Sequence, residues 1–220
     1  MPLKLRRFDF DHNPQHMLNP FEQEANFLET LNLILPIPAP FQERINLEIT
    51  TEKFKKNHLL VRPGEVSRRL YFICSGFVRA FFIDENGREC TTWFRGKGDI
   101  MISVHSFFSQ KPSSEYLEVL QDCKLQSLSW NQINAYYAEF KEGNALARIM
   151  MQKYYMASEE RAVLLRTQAP ELRYQIMLKN DPTIEQQTSL TNIASYLAIT
   201  RETLSRLRSK SLKLCSKSQK

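Results

Sequence analysis

At 220 residues the chain has room for two modest domains, and its 42% apolar content, with 14 Phe and 8 Tyr, supplies genuine cores. No apolar run approaches the roughly 18 residues of a membrane span, no apolar core follows the basic residues near Met1, and Cys74, Cys90, Cys123 and Cys215 form no CxxC pair. Neither a membrane protein nor a secreted disulfide scaffold fits, and the expected setting is a reducing cytoplasm.

Residues 1–20 are polar, carry Pro2, Pro14 and Pro20, and predict an irregular extension. From Phe21 to about Leu47 the pattern is helical, interrupted at Pro36, Pro38 and Pro40. From Phe54 to Ser129 it changes to short strands. Leu59–Val61 leads into Pro63-Gly64, Leu70–Ile73 into Ser75-Gly76, and Phe77–Ile83 into Asp84-Glu85-Asn86-Gly87. Asn-Gly at that point predicts a tight hairpin returning through Glu89–Phe94. Gly96-Lys97-Gly98-Asp99 follows, then strands at Tyr116–Leu120 and Leu125–Leu128. Such turn-punctuated spacing predicts a sandwich or barrel, and 21–141 reads as one domain.

After Trp130 the pattern stays helical. Leu146, Ile149, Met150, Tyr154, Ala157, Arg161 and Leu164 fall near one face of a helix spanning about Glu142 to Arg166. A helix of about 25 residues is roughly 37 Å long, more than one small domain needs. The expectation is therefore a seam with a second copy, with Leu146, Ile149, Met150, Tyr154, Ala157 and Leu164 in the interface of a homodimer. The alternative is a helix packed only on its own β-domain. Pro170 suits a first helical turn, Glu171–Lys179 continues it, and Asn180-Asp181-Pro182 ends it.

The most informative string is Leu190 to Ser209. Ile193, Leu197, Ile199, Leu204 and Leu207 supply the apolar positions of two short helices across a tight turn. Ala194 is small where the helices must approach, and Thr200 is an N-cap residue able to accept from free backbone N–H groups. The second helix then presents Arg201, Glu202, Thr203, Ser205, Arg206 and Arg208 on its polar surface. This pattern predicts a helix-turn-helix whose second helix reaches base edges in a DNA major groove. The competing reading is an ordinary αα-hairpin with a solvated basic face. From Thr200 onward, Arg201, Arg206, Arg208, Lys210, Lys213, Lys217 and Lys220 stand against Glu202 alone, which accounts for the whole net charge of +6. A chain neutral except at one end has a directed footprint for a polyanion.

A β-roll, a long central helix and a C-terminal helix-turn-helix, in that order, resemble the Crp/Fnr family of bacterial transcription regulators. The resemblance covers about Phe54 to Arg208, and its most specific element is Thr-Arg-Glu-Thr-Leu-Ser-Arg at 200–206. The short region beyond that helix is similar to members common in the Bacteroidetes. The resemblance implies an α+β fold: an N-terminal double-stranded β-helix of the cyclic-nucleotide-binding type over 21–141, a dimerisation helix over 142–166, and a winged-helix-like DNA-binding domain over 167–220. It implies base contacts by Arg201, Glu202 and Arg206, which suits the chemistry. Arg donates twice to guanine and a carboxylate accepts from cytosine. Ser189, Thr191, Thr200, Thr203, Arg208 and Lys210 are the expected phosphate contacts. Expected partners are double-stranded DNA, a second copy, RNA polymerase and a small-molecule effector, with no membrane and no cofactor.

Two positions depart from the family pattern. Ala198 occupies the turn position where relatives usually have Gly, a strain on the order of 1 kcal/mol if φ is positive there. The phosphate cassette of cyclic-nucleotide-binding relatives has a Gly-Glu pair for ribose and an Arg-Ser pair for the cyclic phosphate. Aligned from Gly98-Asp99, this chain has Ile102-Ser103 and Ser113-Ser114, and Met101–Ser114 holds one cation, Lys111. A buried phosphodiester without a guanidinium keeps an unpaired charge, costing several kcal/mol. Cyclic AMP is therefore not the expected ligand. Ser103, His105, Ser113, Ser114 and Ser158 are the candidate lining of a pocket for some other effector, and they would serve equally as loop hydroxyls satisfying the backbone.

His12, His16, His58 and His105 share no ligand spacing, so no metal or haem site is expected. No catalytic motif is readable from spacing, and the expectation is a non-enzyme. The alternative function is a cyclic-nucleotide-binding-like module acting on a protein partner.

Overall fold

The computed structural model describes residues 24–217, the side chains of 211–217 excepted. The extension over 1–20, His12, His16, Phe21 and Lys220 lie outside the described residues, as do the side chains of Lys213, Cys215 and Lys217. Two helices open the fold, α1 (Phe27–Ile34) and α2 (Ala39–Glu48). The strands follow as β1 (Thr50–Phe54), β2 (Leu59–Val61), β3 (Arg69–Ser75), β4 (Val78–Ile83), β5 (Glu89–Arg95) and β6 (Ile100–Met101). A short helix, α3 (Val104–Ser109), precedes β7 (Tyr116–Val119) and β8 (Cys123–Ser129). The rest is helical: α4 (Trp130–Glu139), α5 (Lys141–Thr167), α6 (Pro170–Asn180), α7 (Ile184–Gln187), α8 (Leu190–Tyr196) and α9 (Arg201–Lys217). Among the described residues no strand follows β8, so the helix-turn-helix stands there without a β-wing.

The strands form two antiparallel four-stranded sheets, ordered β1-β8-β3-β6 and β2-β7-β4-β5. Their inner faces meet through Ile73, Val78, Leu117, Val119 and Leu125, all almost wholly buried. The predicted hairpin is present. Asp84 Oδ1 accepts from the N–H groups of Asn86 (2.8 Å) and Arg88 (2.9 Å), and Gly87 takes φ +76°. That supplies the positive φ an Asn-Gly turn needs. A register shift opposite Ala80/Phe81 leaves Thr92 unpaired in the ladder, its Oγ1 donating to Ala80 O (3.2 Å). Such a bulge turns the strand locally.

A second core lies outside the roll. Phe27, Leu31, Phe41 and Ile45 of the leading helices pack with Phe72, Leu128, Tyr136 and Leu146. Phe41 stacks on Phe140 with ring centres 4.4 Å apart. Ser129 starts α4 with a reciprocal capping box to Gln132. The leading helices thus brace the base of α5.

Gly76 joins β3 to β4 at φ +99°, where a Cβ would fall 2.7 Å from Asp122 O and strike the Cys123 sulfur. Gly76→Ala is expected to cost about 2–4 kcal/mol, from backbone strain plus overpacking, read as a lower midpoint in urea unfolding.

Candidate nucleic-acid interface

The two helices predicted at the C-terminal end form as expected from their local chemistry. Ser189 caps α8 by accepting from Asn192 N–H (3.1 Å). Thr200 caps α9 by accepting from Thr203 N–H (3.2 Å). Ile193, Ala194, Leu197 and Leu204 are buried between the two helices and α6. Ala198 takes φ +52° in the turn, so the strain anticipated there is real and on the order of 1 kcal/mol. The turn is held by Ala198 N–H to Ser195 O and Ile199 N–H to Ala194 O, both 3.0 Å.

Arg201, Glu202, Ser205, Arg206, Ser209 and Lys210 are exposed along α9. Two adjoining shallow grooves run over them, one lined by Arg201, Glu202, Ser205 and Arg206, the other by Ser205, Arg206, Ser209 and Lys210. Ser205 belongs to both and was not among the predicted base readers. Its place four residues after Arg201 was the available signal. Backbone and Thr200 hydrogen bonds at the helix start, then Arg201 and Arg206, hold the Glu202 carboxyl below the usual range. It is therefore an acceptor at neutral pH, as an amino-group reader must be.

The predicted phosphate contacts divide. Ser189, Thr191 and Thr200 are exposed, and Thr203 is half-buried, accepting from Arg206 Nη2 (3.2 Å). Lys210 makes an exposed pair with Glu171 (2.9 Å), weak enough to exchange for a phosphate. Arg208 needs correction. It is half-buried, and its Nε donates to Glu185 (2.9 Å), which also accepts from Tyr174 OH (2.8 Å). Arg208 is engaged within its own domain, with about a third of its side chain still exposed (36%).

The helix-turn-helix is docked on the roll through α8, which packs along β5. Arg79 of β4, only 5% exposed, is central to this contact. It pairs with Glu118 and Glu89, both at 2.6 Å, and donates from Nη1 to Asn192 Oδ1 (2.9 Å). Ser195 Oγ accepts from Thr91 N–H (2.8 Å) and donates to Glu89 O (2.5 Å). Arg161 of α5 donates to Tyr196 O (2.8 Å). Beneath these, Phe77 and Phe94 of the roll share a core with Tyr174, Met177 and Leu197. None of Arg79, Asn192 and Ser195 was predicted. Sequence shows a buried charge in β4 only as one polar letter among apolar ones.

The predicted effector residues are only partly brought together. Ser103 and Ser113 are buried with their hydroxyls 3.0 Å apart, and Ser113 Oγ also accepts from Glu115 N–H (3.0 Å). Burial pushes the Glu115 carboxyl up, opposed by a hydrogen bond from Ser103. His105 and Ser114 are exposed, and Ser158 is half-buried on α5. Lys111 is exposed and brings no cation inward.

The long helix also needs correction. Leu146 is 4% exposed and belongs to the core against α2 and α4, with Met150 packed beside it. Tyr154 packs on Trp93 of β5, with ring centres 5.4 Å apart. These three residues serve their own roll, while Ile149, Ala157 and Leu164 are half-buried. The apolar side chains that α5 leaves exposed are Met151, Tyr155, Met156 and Val163. No helix among the described residues is long and apolar enough to cross a membrane.

Residues 51–140 match the cyclic nucleotide-binding domain family. No curated protein matches the chain. Solved structures that resemble it include CLP, the c-di-GMP-responsive global regulator of Xanthomonas campestris, at 18% identity and TM-score 0.63, over 80% of this chain and 92% of that one. FixK2 from Bradyrhizobium japonicum aligns at 19% identity and TM-score 0.65, over 76% and 85%. A transcriptional regulator assigned to the Crp/Fnr family, from Eubacterium rectale, aligns at 14% and TM-score 0.66, over 84% and 88%. The roll, the long helix and the helix-turn-helix together are the fold of Crp/Fnr-type regulators.

Proposed function

We propose that this chain, with a cyclic-nucleotide-binding-type roll and the fold of the Crp/Fnr-type regulators, is a sequence-specific DNA-binding transcription regulator acting as a homodimer. The observation that carries the reading is the exposed set Arg201, Glu202, Ser205 and Arg206 on the capped opening turns of α9. A helix entering a major groove by its N-terminal end places those groups at base edges. Arg201 and Arg206 donate to guanine, Glu202 accepts from cytosine, and Lys210 exchanges Glu171 for a phosphate. Two copies joined along α5 through Met151, Tyr155, Met156 and Val163 present two such helices to half-sites about 34 Å apart, so the operator is pseudo-palindromic.

The sensor reading is a roll whose cassette does not take cyclic AMP. Ser103 and Ser113 satisfy each other, and Glu115 brings a carboxylate next to the same hydroxyls. A cyclic phosphate placed there meets a carboxylate rather than a guanidinium, which disfavours it by several kcal/mol.

Arg206→Ala is expected to cost roughly 1–3 kcal/mol on the preferred duplex and to relax its sequence preference. Lys210→Ala should weaken all duplexes alike and flatten the salt dependence. Fluorescence anisotropy on a site selected from random duplexes checks both, and an Arg206→Ala protein as selective as the parent would sink the base-reading assignment. Calorimetry with cyclic AMP should give no heat at micromolar concentrations. Tyr155→Glu should shift the protein from dimer to monomer in sedimentation, whereas Tyr154→Glu should chiefly lower its melting temperature.

A further inference from the structure

The two arginines on the exposed face of α9 differ in how they are held. Arg201 has no hydrogen-bond partner among the described residues, whereas Arg206 donates from Nη2 to Thr203 Oγ1 (3.2 Å). That bond reaches one turn back, the direction in which helix side chains lean. Thr203 Oγ1 lies in turn 3.1 Å from Thr200 Oγ1, which also accepts from Thr203 N–H (3.2 Å). Thr200, Thr203 and Arg206 therefore form one line along the helix, running from its cap to a guanidinium. Thr203 is half-buried and lines neither of the two shallow grooves, both of which are lined by Arg206.

A helical threonine ordinarily gives its hydroxyl proton to a carbonyl one turn back. Thr203 instead has a hydroxyl on one side and a guanidinium on the other. Two hydroxyls carry two protons, and one of them lies between Thr200 and Thr203. The Thr200 hydroxyl also helps to hold the Glu202 carboxyl low, which places the second proton on that side. Thr203 is left as donor to Thr200 and acceptor from Arg206, with no proton for a phosphate oxygen. The phosphate contact expected of it is not the use to which its hydroxyl is put.

The Arg206 fork has five N–H donors, so one spent on Thr203 leaves a pair for guanine O6 and N7. A long side chain pinned before DNA arrives loses less freedom on binding. We propose that Thr203 is a positioning residue: its hydroxyl, steadied by the cap at Thr200, holds the Arg206 guanidinium ready for one base and sharpens the choice at that position. The consequence for bases rests on the regulator reading above; the contact itself does not.

The test uses the full chain, free and on duplexes. In the free protein, side-chain nitrogen relaxation should show the Nε–H of Arg206 more ordered than that of Arg201. Thr203→Val keeps the shape without the hydroxyl and should abolish the difference, and Thr203→Ser should restore it. On duplexes, Thr203→Val should lose about tenfold in preference at the base position that Arg206→Ala relaxes. Preference elsewhere in the half-site and the melting temperature should stay as in the parent, and Thr203→Ser should keep full selectivity. Adding Thr203→Val to Arg206→Ala should change nothing further. Equal mobility of the two arginines in the parent, or full selectivity in Thr203→Val, would overturn the proposal. So would a Thr203→Val protein weakened on all duplexes alike and additively with Arg206→Ala, because the hydroxyl would then be a phosphate contact. A chain that selects no sequence, yet whose Arg206 loosens in Thr203→Val, would retain the positioning contact and lose only the regulator reading.

Discussion

The buried guanidinium of Arg79 sets the relation between the two halves of the molecule. A cation only 5% exposed must have its acceptors in place, and they come from three segments: Glu118 on β7, Glu89 on β5 and Asn192 on α8. Removing one partner of a buried pair costs about 3–5 kcal/mol, whereas a hydrogen bond to a charged group contributes about 1.5–3 kcal/mol. The bonds to the two glutamates lie within the roll, and only the bond to Asn192 crosses to the helix-turn-helix. Arg79 would therefore stay neutralised if the helix-turn-helix undocked. The docking surface adds Ser195 and the apolar group around Phe77, Phe94 and Leu197, so it is substantial but separable from the stability of the roll. Separability is what a two-state element requires if signal and DNA affinity are to be coupled.

Most of the fold was legible because its punctuation is local. The Asp84-to-Gly87 turn, the caps at Ser189 and Thr200 and the small residue at Ala194 each act within a few residues, where residue type dictates geometry. β1 was missed because Thr50–Phe54 is an exposed strand at the edge of its sheet, so burial imposes no alternation on it. β6 was missed because two residues carry no period. On α5 the sequence holds two apolar stripes. The one through Leu146, Met150 and Tyr154 reads more clearly and was matched to the wrong partner, since a 3.6-residue period says that a face is covered and not by what.

The functional surface was legible in unequal parts. Arg201, Glu202 and Arg206 stand on the exposed face that the motif requires, because a helix-turn-helix constrains its second helix tightly. Arg208 looked equivalent and is paired with Glu185, a partner 23 positions away that no local rule could supply. Arg79 and Arg161 show the same limitation more strongly. Each is a single basic letter in a helix or strand, and its role depends on which distant segments fold over it.

Charge is distributed in the molecule against the usual economy of a nucleotide-binding roll. The interior of the cassette holds hydroxyls and Glu115, while Arg95 lies over Trp93 of β5 and Arg161 of α5 lies over Tyr196 of α8. A ligand inside the roll would have to act on α9 through a chain of packing shifts from α3 and β7 to α5 and then α6. Its leverage equals the difference in its affinity for the docked and undocked states, and no more. A ligand gripped wholly within the roll shifts that balance only as far as those packing shifts make its affinity differ between the two states.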